Sequence, residues 1–163
     1  MRDKTLEQEL VGNLTTAAIA RLKIPILAIP STAKYNGIQN IVFACDVLKG
    51  FYVTVLDRIK EVASRFNANV VVFHVANTVD KIKKSQLKFD NEKTGLDGVS
   101  YYYKSVLSDQ IINAISAEVI NSNADVLIML PQKYGFWSSM VHTSKTRIMA
   151  LRNQIPLLTI PIR

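Results

Sequence analysis

The chain has one cysteine, Cys45, among 163 residues, which excludes an internal disulfide. Its two histidines, His74 and His142, have no cysteine or further histidine at ligand spacing, so no metal centre is expected and both read as structural. No apolar run reaches the roughly 18 residues that a membrane helix needs. The opening Met1, Arg2, Asp3 and Lys4 lead into polar residues rather than a signal-like apolar stretch. A membrane is therefore not an expected partner, and a cytoplasmic address is the expectation. Also missing are paired carboxylates and any nucleophile and base that can be matched from sequence, so the chain is not expected to be an enzyme. Cys45 itself closes the apolar run IVFAC, where a small buried residue fits, and a thiol so placed should react slowly.

What is present is enough apolar material for one sizeable core, 48% of residues. The formal net charge is +7, which raises nucleic acid as a partner because clustered Lys and Arg displace counterions from phosphates. The densest basic group, Lys81, Lys83, Lys84 and Lys88, is flanked by Asp80, Asp90 and Glu92 and has no interleaved aromatic for base stacking. It reads as a solvated helix face, and nucleic acid is not expected as a partner.

Comparing the chain with itself reveals a repeat. Residues 12–30 read GNLTTAAIARLKIPILAIP and residues 143–161 read TSKTRIMALRNQIPLLTIP, aligned without a gap at an offset of 131. Identities fall at Thr15/Thr146, Arg21/Arg152, Ile24/Ile155, Pro25/Pro156, Leu27/Leu158, Ile29/Ile160 and Pro30/Pro161. Each copy reads as a capped helix, with Asn13 or Ser144 at the N-cap and Pro25 or Pro156 as the stop, followed by a short apolar strand at 26–29 or 157–160. Proline on both sides of each strand suits an edge strand or one paired only over its middle.

Between the repeats, residues 40–45, 69–75 and 125–130 are continuous runs rich in Val, Ile and Leu, the signature of strands buried on both faces. Val55, Ile59, Val62, Ala63 and Phe66 recur at helical spacing, as do Ile111, Ile112, Ile115 and Val119. Residues 81–89 are expected to form a short polar helix and residues 99–104 a further strand. The alternation of strand and helix predicts a doubly wound α/β fold with a parallel sheet.

NIVFACD, then VVVFHV, then ADVLIML and finally IPLLTIP together resemble the universal stress protein family over residues 39–161. Residues 12–30 resemble the closing helix and strand of a preceding domain of the same kind. The resemblance implies a flavodoxin-like layer sandwich with a five-stranded parallel sheet, of the adenine nucleotide alpha hydrolase type, plus an extra N-terminal helix and strand. It divides the chain into residues 1–36, the end of a first domain with its linker, and residues 37–163, a complete second domain.

Members that bind ATP carry a G-x2-G-x9-G-[ST] loop, in which glycines admit the phosphates and the last pair opens a helix. Here those positions fall on Leu130, Lys133, Thr143 and Ser144, so the spacing is kept and all three glycines are replaced. Lys133, Lys145 and the Ser144 hydroxyl leave some capacity for anions, although Ser144 reads first as a helix cap. Asp46 matches the acidic residue that contacts the nucleotide, or is a turn residue, and Val75 matches the position beside the adenine. Phe136 and Trp137 read as packing against a neighbouring helix.

Two functions follow as alternatives. One is a non-catalytic stress-response or regulatory module without a cofactor, acting through protein association. The other is an ATP or AMP switch using Asp46, Val75 and Ser144. In the N-terminal segment, Thr5 and Gln8 resemble a capping box, with a break near Gly12. Leu14, Ala17, Ala18 and Leu22 form an apolar stripe with no domain of its own to cover. The two closing strands are expected to pair antiparallel, within a chain or across a dimer, burying Leu27 and Leu158, and the chain is expected to form a homodimer to which the N-terminal segment contributes.

Overall fold

The computed structural model describes residues 14–15, 17–19, 21–50, 53–91, 95–131 and 154–162. Among them, six strands build one sheet: β1 (Ile26–Ala28), β2 (Asn40–Ala44), β3 (Asn69–Ala76), β4 (Tyr101–Leu107), β5 (Val126–Met129) and β6 (Leu157–Thr159). Their order is β1-β6-β5-β2-β3-β4. Strands β2 to β6 are parallel, and β1 joins β6 antiparallel. The helices are α1 (Val53–Phe66), α2 (Val79–Asn91) and α3 (Ile111–Asn121), with a 3-10 turn at Val47–Lys49. The chain is thus an α/β layer sandwich of the expected class, with its five parallel strands extended by the N-terminal strand.

The helices form because their apolar residues recur on one side. Val55, Leu56, Ile59 and Ala63 of α1 meet Ile41, Phe43, Val70, Val72, Val126 and Ile128 on one face of the sheet. Ile111, Ile115 and Val119 of α3 meet Val42, Val71, Phe73, Leu127 and Met129 on the other. Alternation along each strand supplies both cores, which is why these strands read as unbroken apolar runs. Phe66 falls outside this packing and is exposed, since it ends α1 beyond the last turn that faces the sheet.

α1 and α3 end in the same way. Asn67 and Asn123 adopt left-handed backbone, at φ 51° and 47°. The amide of Ala68 donates to Ala63 and that of Ala124 to Val119, each at 2.9 Å, while Asn67 and Asn123 donate to Ser64 and Ile120. This is the Schellman arrangement, which satisfies the last carbonyls and turns the chain at once into β3 and β5. The carboxylate of Asp125 then accepts from the amides of Gln39 at 2.7 Å and Asn40 at 3.0 Å, fixing β5 beside β2.

Strand β4 lies two residues later than the expected start and runs to Leu107, because Tyr101 and Tyr103 continue the alternation into the core formed with Phe89 of α2. Phe89 stacks on Tyr103 at 4.5 Å and meets Tyr101 edge-on at 6.2 Å. The Tyr103 hydroxyl donates to Ser85, which donates to the Ile82 carbonyl. Lys104 reaches the buried carboxylate of Glu118 on α3 at 2.6 Å.

The two closing strands pair within the chain, Ile26 with Thr159, Leu27 with Leu158 and Ala28 with Leu157. β1 is an edge strand, whereas β6 is internal and pairs along its whole length, its bonds to β5 running from the Pro156 carbonyl to the Ile160 amide. Leu158 is half-buried, but Leu27 is not buried as expected: it is exposed, on the strand that ends the described sheet. Leu14 and Leu22 are exposed as well, and Ile19 alone among the described residues before β1 is buried. Residues 1–13, with the expected capping box, lie outside the described residues.

Replacing the fully buried Ile128 by alanine is expected to cost about 3 kcal/mol in urea unfolding, from lost transfer energy and the cavity left behind. Leu27→Ala should cost about 0.5 kcal/mol or less, because its side chain stays in water. Equal losses at the two positions would contradict the burial difference between them.

Candidate functional site

Open parallel sheets concentrate ligand sites at the C-terminal ends of their strands, where successive connections leave in opposite directions. Here that point lies between β2 and β5, since β2 is followed in space by β3 on one side and by β5 on the other. The register that sets Ala44 beside Met129 places Asp46 and Leu130 just beyond the two strand ends.

Asp46 does not project freely. Its Oδ1 accepts from the Leu48 amide at 3.2 Å and so caps the 3-10 turn, whose amides at Lys49 and Gly50 bond back to the carbonyls of Asp46 and Val47. Gly50 ends the turn at φ 91°, a conformation that favours glycine. From α2, Lys88 donates to the Leu48 carbonyl at 2.9 Å and ties the loop to that helix. The expectation of a wholly solvated basic face on α2 is corrected on this point. Lys81, Lys83 and Lys84 are exposed, but Lys88 is half-buried and engaged in the loop. Nothing in the spacing of Lys88 signalled a carbonyl forty residues away.

Behind Asp46 stands His74, buried in β3 as expected. Its Nδ1 lies 3.3 Å from the Cys45 carbonyl and 3.8 Å from Asp46 Oδ1, so the carbonyl contact is a hydrogen bond in the Nδ1–H tautomer. Burial lowers the His74 pKa from its ordinary 6.5; the Cys45 carbonyl and Asp46 act against this, and Lys81 adds to it. Burial also pushes the Cys45 thiol far up, with Asp46 contributing, so its thiolate is suppressed. Tyr103 is raised as well, chiefly by burial. The juxtaposition of Asp46 with His74 was not visible in sequence, because it arises from the parallel register of β2 and β3.

Of the remaining candidates, Leu130 is only 5% exposed and belongs to the core on the α1 side, with Phe43, Cys45 and Val47. Val75 is buried on the α3 side, against Ile111 and Ile115. The structure therefore brings Asp46 and Leu130 to one end of the sheet and sends the Val75 side chain to the other face. Lys133, Thr143, Ser144 and Lys145 lie outside the described residues, as do His142, Phe136 and Trp137. Among the described residues no group of three His, Cys, Asp or Glu could hold a metal ion, and no helix is long and apolar enough to cross a membrane.

No protein-family model matches this sequence, and no curated protein matches it. Solved structures do. A universal stress protein from Archaeoglobus fulgidus DSM 4304 is similar at 18% identity and a TM-score of 0.69, over 96% of this chain and 56% of that one. A universal stress protein in complex with cAMP is similar at 13% identity and a TM-score of 0.57, over 78% of this chain and 100% of that one. The chain spans little more than half the length of the first. The likeness establishes a fold of the universal stress protein type.

Two outcomes test this cluster. The unfolded chain takes up the His74 proton near 6.5 and the folded chain only at lower pH, so just below 6.5 the unfolded state binds more protons and stability falls as pH falls. Urea titrations at about pH 7.5 and about pH 5.5 should show that loss, and His74→Asn should flatten it. Unchanged pH dependence in the variant would sink the assignment. Alkylation of Cys45 should be slow in the native chain and at least about a hundredfold faster in denaturant, and equal rates would contradict its burial.

Proposed function

We propose that the chain is a regulatory module of the universal stress protein type that performs no catalysis and works through protein contacts rather than a bound nucleotide. The observation that supports this reading is Leu130. It stands where the ATP-binding loop of the resembled family has its first glycine, and its side chain is packed into the core at the end of β5. A glycine there leaves room for a phosphate to approach backbone; a leucine fills that room with hydrocarbon. Asp46, which would meet the nucleotide, spends one carboxylate oxygen on the amide of Leu48.

A second reading, an adenine-nucleotide switch, draws on the similar universal stress protein that was solved with cAMP. Asp46 at the switch point favours it; Val75 is buried on the other face of the sheet, and Ser144, its third expected contact, lies outside the described residues.

Heat denaturation of the purified chain followed by nucleotide analysis, and calorimetry with ATP, AMP and cAMP, separate the two. The expected result is no released nucleotide and no micromolar affinity. Saturable micromolar binding of any of the three would establish the switch. Replacing Leu130, Lys133 and Thr143 together by glycine should raise ATP affinity at least about tenfold, because the loop spacing is intact. If that variant keeps its circular dichroism spectrum and still ignores ATP, Leu130 is not what closes the site.

A further inference from the structure

The two edges of the sheet differ in kind. β1 offers three residues between Pro25 and Pro30, whereas β4 offers seven, Tyr101–Leu107, without a proline. β4 pairs with β3 residue for residue over its whole length, so no bulge turns it away, and among the described residues no strand takes its other side. Long edges are ordinarily guarded by a proline, a bulge or a charge. The one charge in β4 is Lys104, whose ammonium lies 2.6 Å from the buried carboxylate of Glu118 on α3. An inward lysine guards an edge where a docking strand would bury its charge unpaired; Glu118 supplies the pair, so the guard is disarmed.

The bonds at the two ends of β4 fix the phase of its backbone. The Val70 amide donates to the Ser100 carbonyl and the Ser108 amide to the Ala76 carbonyl, both across to β3. Successive residues of a strand turn these groups to opposite sides, so Tyr101, Tyr103, Ser105 and Leu107 present amide and carbonyl to the open side. The side chains alternate across the faces. Tyr101 and Tyr103 join the core on the α1 side, which sets Tyr102, Lys104 and Val106 on the α3 side. Tyr102 is 50% exposed there, and Leu107 is 57% exposed on the opposite face.

We propose that β4 pairs antiparallel with β4 of a second copy of this chain, about a two-fold axis at Tyr103, so that the two sheets become one. This rests on the reading that the chain works through protein contacts, and it names the surface and the partner. The closing strands are not the contact, since they pair within the chain. The edge is complementary to itself in one register. A centre at Lys104 sets two ammonium groups opposite each other, and a centre at Tyr101 or Ser105 sets Tyr102 opposite a serine. Only a centre at Tyr103 sets Tyr102 opposite the partner's Lys104, and Lys104 opposite the partner's Tyr102. By the phase of the ladder these are the non-hydrogen-bonded positions, where facing side chains come closest. An ammonium over a tyrosine ring is attracted to it, and the Lys104 side chain is 40% exposed, which leaves room for the ring beside Glu118. Tyr101 and Ser105 take the hydrogen-bonded positions on either side of Tyr103, and Leu107 falls opposite the partner's Val99. The arrangement closes on itself as a dimer.

Light scattering and hydrogen exchange on the full chain, from about 1 µM to about 1 mM, test this. Dimer should form as concentration rises. With it, exchange at the amides of Tyr101, Tyr103, Ser105 and Leu107 should slow at least about tenfold, while Tyr102, Lys104 and Val106, which face β3, stay protected throughout. Tyr102→Lys should weaken the dimer about tenfold and Tyr102→Glu should tighten it, because each change meets Lys104 twice across the axis. Tyr102 is exposed in the single chain, so both variants keep the sheet. A chain that stays monomeric at every concentration would overturn the proposal, and so would a monomer whose four outward amides are already protected. A dimer that protects β1 and leaves β4 unchanged, or a shift in the same direction for both variants, would overturn it as well. Calorimetry with nucleotides reads the ends of β2 and β5 instead, so a monomer that ignores nucleotide removes this interface and leaves the nucleotide-free reading in place.

Discussion

The fold depends on the parallel ladder of β5, β2 and β3 being dry on both faces. Ile41, Val42, Val70, Val72, Leu127 and Ile128 are all essentially inaccessible, with α1 and α2 over one side and α3 over the other. Backbone groups in such a place must pair with one another, because no water reaches them. The ladder therefore dictates strand register, and register dictates everything at the strand ends. Asp125 bonding to Gln39 and Asn40 locks the N-terminal end of β2 against β5, so the C-terminal ends meet with Ala44 beside Met129. Chemistry can only begin where the ladder stops.

At that end the polar groups are largely turned inward. Asp46 caps its own turn, Lys88 holds the same turn by a carbonyl, His74 contacts the Cys45 carbonyl, and Tyr103 bonds Ser85. A nucleotide site in this fold would present such groups to the ligand and leave bare backbone near the phosphates. Here Leu130 carries the core one residue past β5. Filling and capping are alternatives to binding, and this region shows both, which is the physical basis for reading it as structural support.

Much of this architecture was legible because the signals are local. Unbroken apolar runs mark strands buried on both faces, and the spacing of Val55, Ile59 and Ala63 marks α1. The internal repeat exposed the closing strands and their pairing, since two prolines bracket each copy. What was not legible depends on register across the sheet. Lys88 looked like one more surface cation until the fold set it beside Leu48, and His74 gained Asp46 as a neighbour only through β2 and β3. The burial expected of Leu27 failed for a related reason. Pairing with β6 satisfies the backbone of β1, but it covers neither its outer edge nor its face.

That distinction between pairing and burial explains the closing strands. A three-residue antiparallel pair contributes few hydrogen bonds, and a ribbon of that size has little stability by itself. β6 is secured instead by β5 on its inner side and by Leu157 and Ile160 in the two cores. β1 has the same residue types and the same pairing, with the Thr159 hydroxyl adding a contact to the Ile26 carbonyl at 3.4 Å, but it lacks that inner neighbour. Fully burying an isoleucine or leucine side chain is worth about 1.5–3 kcal/mol, which is the order of what Ile29 and Leu27 leave unrealised. Burial is thus a property of the neighbours rather than of the residue, and the repeat equivalents Ile29, at 64% exposed, and Ile160, at 2%, stand at its two extremes.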